Sequence, residues 1–168
     1  YAPFFNADFK DDKSYPFIAL TMGDVFPAIK FTREKRRPDT RYFGPFTDSR
    51  AARTMIDAAR RVVPICSANC ADWRALKRRL EKNEAAPFLD ANGTARPCFD
   101  CHVGLGPGAC CGQITPGDYA EHVRRVARFL EGNHNEFIHE MTDEMQEAAA
   151  NLDFERAGRM KARIDTVN

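Results

Sequence analysis

The sequence predicts a mainly helical α+β protein, and three observations carry that prediction. Two short runs of β-forming residues open the chain, several later segments repeat apolar residues at helical spacing, and six cysteines gather in stretches without periodicity. With 168 residues, 43% hydrophobic and 29% charged, the composition is that of a folded soluble domain. No run approaches the ~18 uncharged apolar residues of a membrane helix, and no signal-peptide pattern opens the chain. Membrane and secreted roles are therefore excluded, and a cytoplasmic protein is expected. The chain begins at Tyr1 rather than Met, so it is expected to be a piece of a longer protein.

The elements follow in order. Ser14 to Thr21 is rich in β-formers, Met22-Gly23-Asp24 is a turn, and Phe26 to Thr32 alternates apolar with polar. This predicts an antiparallel hairpin. Arg33 to Arg41 is a basic loop broken by Pro38, and Tyr42-Phe43-Gly44-Pro45-Phe46 is an aromatic turn, since Gly-Pro forbids a continuing helix. Thr47, Asp48 or Ser49 caps a helix whose stripe is Ala52, Met55, Ile56, Ala59 and Val63, ended by Pro64. Cys66 to Cys70 reads as a loop. A short helix follows with Trp73, Leu76 and Leu80 on one face and Arg74, Lys77, Arg78, Arg79 and Lys82 on the other.

Residues 83–112 have no period and read as an irregular knot. Thr115-Pro116 opens a helix over 116–131 with the stripe Tyr119, Val123, Val126 and Leu130, stopped by Gly132. The chain ends in an antiparallel helical hairpin. Phe137, Ile138, Met141, Met145 and Ala148 line its first helix, and Asn151 is expected in the left-handed closing position. Asp153 caps the second helix, lined by Phe154, Ala157, Met160 and Ile164.

Charge is divided unevenly. Residues 1–130 carry 21 Lys and Arg against 15 Asp and Glu, while residues 131–168 carry 4 against 9. A basic front suits a polyanion and an acidic helical tail suits a protein partner. The plainer alternative is that both are solvated faces.

The cysteines are Cys66, Cys70, Cys98, Cys101, Cys110 and Cys111. Without a secretory signal they are expected reduced. Thiolates gathered among tight turns suit a soft metal, zinc or an iron–sulfur cluster, either of which takes four of them rather than all six. The alternative is that some are small buried apolar residues. Cys98-Phe99-Asp100-Cys101-His102 also has the spacing of covalent haem attachment, chemistry that belongs to exported proteins and is set aside here. No nucleophilic triad, nuclease centre or phosphate loop can be assembled. The residues alone thus describe a binding scaffold with no catalytic residues.

Four motifs, in order, resemble the UvrC family of bacterial nucleotide-excision-repair endonuclease subunits. They are Lys10-Asp11-Asp12-Lys13-Ser14-Tyr15-Pro16, Arg41-Tyr42-Phe43-Gly44-Pro45-Phe46, Arg96-Pro97-Cys98 and Asn151-Leu152-Asp153-Phe154-Glu155-Arg156-Ala157. The resemblance implies that residues 1–32 close a GIY-YIG nuclease domain, with Asn6 matching an Asn typical of it. It makes residues 33–132 a Cys-rich, DNA-contacting region and residues 133–168 a UVR hairpin that docks on UvrB. Both nuclease centres of the parent would lie outside the chain, so this part incises nothing itself.

The same resemblance implies four cysteines holding an iron–sulfur cluster. Cys98 and Cys110 fall at the family's positions, Cys66 or Cys70 supplies the upstream one, and Gly106 stands where a third cysteine is usual. Cys101 and Cys111 occupy positions where the family has other residues. UvrB docking falls to Met145, Leu152, Phe154, Glu155 and Ala157. Damaged double-stranded DNA falls to Arg36, Arg37, Arg41, Arg74, Lys77 and Arg78, with Arg50, Arg53, Arg60 and Arg61 beside them, through phosphate contacts that read no sequence. A second resemblance, to the metal-binding UVR-type adaptor that activates bacterial protein-arginine kinase, would require repeated Cys-x2-Cys pairs, and only Cys98/Cys101 is present.

Overall fold

The computed structural model describes residues 15–34 and 37–168. Lys10 to Ser14, Asn6 and Arg36 lie outside the described residues. Strands β1 (Phe17–Leu20) and β2 (Ala28–Thr32) form the expected antiparallel hairpin, in register from Phe17 opposite Thr32 to Leu20 opposite Ile29. The turn between them is tied by the Ala28 N–H donating to Thr21 Oγ1 at 2.9 Å.

The hairpin is only the middle of a larger sheet. Arg41–Phe43, read from the sequence as part of a loop and an aromatic turn, forms β3 antiparallel to β1. After α1 (Ser49–Val62), the pair Cys66–Ser67, read as loop, forms β4 parallel to β2. The sheet order is β3-β1-β2-β4. β1 is thus an inner strand, and Ile18, Ala19 and Leu20 are fully buried. That position explains its unbroken apolar run, because a strand covered on both faces need not alternate.

α1 begins where Asp48 accepts the Ala51 N–H at 2.7 Å and ends at Val63, ahead of Pro64. Its small residues Ala52 and Ala59 are completely buried where it lies over β1 and β2. α2 (Ala71–Glu81) buries Trp73 and Leu76, and the Trp73 indole N–H donates to the Phe26 carbonyl at 2.8 Å. The expected knot contains order of its own: α3 (Phe99–His102) and a 3-10 turn at Ala109–Cys111, bracketed by the left-handed Gly108 and Gly112 at φ 88° and 73°.

α4 (Pro116–Leu130) starts as expected, with Thr115 accepting the Asp118 N–H at 3.1 Å. α5 (His134–Ala150) and α6 (Phe154–Val167) form the terminal hairpin, and Asp153 caps α6 through the Arg156 N–H at 3.1 Å. Leu152, not Asn151, takes the left-handed position, at φ 60°. The reason is the closing pattern: the Asp153 N–H reaches Ala148 O at 2.8 Å and the Leu152 N–H reaches Ala149 O at 3.0 Å. That pair of bonds places the left-handed residue one position later than the sequence suggests.

The hairpin is not an appendage. α6 packs on α1, α5 packs on α4, and Phe137, Met141 and Met160 belong to the same buried cluster as Ile18, Leu20 and Val126. Phe129 joins the segments, stacked on His134 with ring centres 4.6 Å apart and edge-on to Phe137 at 5.9 Å. His134 and His122 are therefore half-buried packing residues; the His122 ring nitrogen Nδ1 lies 2.8 Å from the Pro64 carbonyl. Met141→Ala is expected to cost about 2–5 kcal/mol. In urea unfolding followed by both tryptophan fluorescence (Trp73, in α2) and circular dichroism, the two signals should shift together; a shift confined to the dichroism would mean that the hairpin unfolds on its own.

Candidate metal centre

The cysteines are positioned by the sheet on one side and by a tight turn on the other. β4 brings Cys66 beside Ala28 of β2, and the Ala68 N–H donates to the Ile29 carbonyl at 3.0 Å. Cys70 then stands just before α2. Opposite, Cys98 precedes α3 and Cys101 lies one turn along it, so that their sulfurs are 3.5 Å apart. The 3-10 turn supplies Cys110.

Two ties hold these halves together. The Ile65 N–H donates to the Leu105 carbonyl at 3.1 Å, and the Arg60 guanidinium binds the Asp100 carboxylate at 2.7 Å with only 12% of its side chain exposed. A third comes from Tyr119 of α4, whose buried hydroxyl donates to the Pro27 carbonyl at 2.5 Å and accepts the Cys66 N–H at 2.9 Å.

Cys66, Cys70, Cys98, Cys101 and Cys110 line one cavity of about 10 Å³, room for about one water-sized species. The sulfurs of Cys98, Cys101 and Cys110 all lie within 4.8 Å of one another, and those of Cys70 and Cys98 do so together with an oxygen of Asp72. Four sulfurs at about 2.3 Å around a tetrahedral ion stand about 3.8 Å apart; the 3.5 Å between the Cys98 and Cys101 sulfurs is close to that, and Cys110 completes a group of three from which Cys70 stands apart. A cluster, with each thiolate on a different iron, needs them spread further. Cys111 turns away, its thiol donating to the Gly108 carbonyl at 3.4 Å.

Burial is the main influence on these thiols. It pushes Cys98, Cys101 and Cys110 up to about 11 and Cys66 to about 12. Backbone N–H groups work in the other direction, from Cys101 toward the Cys98 sulfur and from Cys98 toward the Cys110 sulfur. Without a cation the thiols stay protonated at neutral pH. The three converging donors Cys98, Cys101 and Cys110 are nevertheless all sulfur and include two supplied with N–H donors, a set that fits a thiophilic metal.

The other expected site residues are scattered. Arg37, Arg74 and Arg78 are exposed and form no ion pair among the described residues, and the same holds for Arg50, Arg53 and Arg61. Arg53 covers the Phe31 ring at 4.4 Å. Arg41 is paired with Glu131, Lys77 binds Asp24 at 3.1 Å, and Arg60 is committed to Asp100. At the hairpin, Leu152 is 73% and Phe154 68% exposed, while Met145 and Ala157 are half-buried and Met145 leans on the core. Glu155 is exposed and pairs with Arg159 at 2.8 Å. Tyr119, which holds the site, is visible in the sequence only as a stripe position; Asp72 brings an oxygen near the Cys70 and Cys98 sulfurs, a placement the Cys70-x-Asp72 spacing could have signalled.

Residues 15–129 match the family described as the UvrC/Cho excinuclease middle domain, and residues 135–166 match the UvrB/uvrC motif. The chain belongs to the UvrC family. It is 35% identical to the UvrABC system protein C of Leptospira biflexa over all of its own length and 25% of that protein. Identity is 34% with that of Moorella thermoacetica and 32% with that of Streptomyces coelicolor, covering 99% and 96% of this chain and 24% and 20% of theirs. The chain thus spans about a quarter of the length of the curated relatives it matches. No solved structure matches it. Among the described residues, no helix is long and apolar enough to cross a membrane.

The raised thiols set a direction for stability. A group held above its ordinary value near 9.0 stabilises the fold while it is protonated in both states, and that contribution fades as pH climbs toward its folded value. The urea midpoint of the metal-free chain should therefore be flat up to about pH 9 and fall between about 9 and 12, with the ultraviolet absorbance of thiolate rising late in that interval. A midpoint indifferent to pH across it would show that the thiols are not buried.

Proposed function

We propose that this chain is the non-catalytic central part of an excision-nuclease subunit, the protein that incises damaged DNA on both sides of a lesion in nucleotide excision repair. Its role is that of a scaffold, acting in the cytoplasm where the chromosome lies. One observation carries the reading: a UvrC-type middle domain shares a core with a UVR-type hairpin whose tip alone presents apolar side chains to solvent. The adaptor alternative loses its footing, because the middle-domain match covers the whole Cys-rich region.

The tip serves a protein partner. Leu152 and Phe154 flank the turn, while Phe137, Met141, Met145, Met160 and Ile164 are turned to the shared core. A partner therefore meets the hairpin at its end. A similar helical hairpin, the one carried by UvrB, suits an apolar pair of this size. The acidic face of α5 adds little, since α4 already answers it: Arg125 pairs with Glu144, and Arg128 with Glu136 at 3.3 Å and Glu140 at 2.7 Å.

Contact with duplex DNA falls to arginines left without such partners. Arg37, Arg74, Arg78 and the α1 stripe of Arg50, Arg53 and Arg61 can approach phosphates without sequence preference, as lesion-directed repair requires. The cysteine cavity holds zinc or an iron–sulfur cluster through its thiolates, which would fix β4 against α3. Phe154→Ala should weaken binding to the UvrB hairpin at least about tenfold, the scale of a central aromatic anchor, while the melting temperature stays put. Unchanged affinity in a folded variant refutes end-on docking.

A further inference from the structure

The end of β2 and the start of α1, sixteen residues apart along the chain, meet at one aromatic ring. Phe31 lies in β2 opposite Ile18 of β1, and its side chain packs against the buried core. Two guanidinium groups share its ring. The central carbon of Arg53 stands 4.4 Å from the ring centre and that of Arg33 stands 5.6 Å from it. Arg33 is tied further, its Nη2 donating to the hydroxyl of Ser49, the first residue of α1, at 2.7 Å. Both arginines are exposed.

Two like charges over one ring repel each other, and an anion between them turns that repulsion into attraction. Arg53 shows where its guanidinium is directed. Asp57 stands four residues along α1, spaced for an ion pair, yet among the described residues none joins them and the guanidinium stays on the ring. The first turn of α1 holds no acidic side chain, and Asp48 ahead of it is already engaged by the Ala51 N–H at 2.7 Å. A guanidinium stacked on a ring keeps its N–H edge for oxygen ligands. The Ser49 hydroxyl, whose oxygen accepts from Arg33, retains a proton to donate. Arg50, next along α1, is exposed and continues the positive surface.

We propose that Arg33, Arg53 and the Ser49 hydroxyl form one site for a single phosphate of the DNA backbone, with Phe31 as the positioning residue that holds both guanidiniums ready. This rests on the DNA-contact reading above and identifies where the duplex is gripped. A phosphodiester presents two unesterified oxygens, one for each guanidinium, and carries the charge that both require. Because Phe31 is fixed in the sheet, these arginines lose less freedom on binding than the exposed Arg74 and Arg78 of α2. The basic loop and the α1 arginines thus act as one patch.

The test is binding of a fluorescent mixed-sequence duplex to the whole chain, read by anisotropy at several salt concentrations. Arg33→Ala and Arg53→Ala should each weaken binding about tenfold and lower the salt slope by about one. The double variant should lose clearly less than the product of the two, because both arginines hold the same phosphate. Arg53→Lys keeps the charge but not the stacked fork, and should weaken binding about threefold. Phe31→Leu should weaken binding in the parent chain and have no further effect in the double variant, which a merely structural role would not produce. Losses that multiply, together with a neutral Arg53→Lys, mean two independent charges and overturn the shared site while leaving the DNA contact in place. Polyglutamate that displaces the duplex as well as unlabelled DNA does overturns phosphate as the ligand. A chain that binds no duplex at low salt overturns the DNA-contact reading itself, and this site with it.

Discussion

The hydroxyl of Tyr119 is the constraint on which the rest of the structure depends. It stands at the start of α4, fully buried, and satisfies two main-chain groups, the Pro27 carbonyl ahead of β2 and the Cys66 N–H in β4. Leaving such groups unpaired in a core costs roughly 1–3 kcal/mol each. A single side chain thus fixes α4, the central hairpin and the first cysteine relative to one another. The ring meets Phe26 at 5.7 Å, and Phe26 in turn meets Phe88 at 6.3 Å, which extends the same order toward the Cys-rich segment.

From that anchor two things follow for function. Below it, β4 and α2 present Cys66 and Cys70 to the turn that carries Cys98, Cys101 and Cys110, so the cavity is a product of tertiary packing rather than of a local motif. Above it, α4 provides the surface on which the terminal hairpin lies, and its arginines neutralise the carboxylates of α5. The charge division seen along the chain is therefore largely an internal complement. Among the described residues, the outward surface includes the apolar tip of the hairpin and arginines without an ion pair, two surfaces of different chemistry.

Much of this was legible in the residues. The caps Asp48, Thr115 and Asp153, the stripes of α1, α2 and α4, and the first hairpin were all readable because each is set by local spacing. The parts that were not readable depend on partners distant in sequence. Arg41–Phe43 becomes a strand only because β1 has a free edge, and Cys66–Ser67 only because β2 does. Leu152 displaces Asn151 from the left-handed position because of where the bonds of α5 end. Pattern alone left six cysteines as equivalent ligands and Arg60 as a DNA contact; the cavity separates Cys111 from the others, and Asp100 claims Arg60.

The central claim is that these thiols hold a metal, and X-ray absorption at the metal edge of the anaerobically loaded chain tests it most directly. The account predicts a first shell of sulfur alone at about 2.3 Å, with an additional iron–iron distance if the occupant is a cluster rather than zinc. A shell containing nitrogen or oxygen would bring in Asp72 or His102 and contradict an all-thiolate centre. Absence of any bound metal would reduce the cysteines to packing residues.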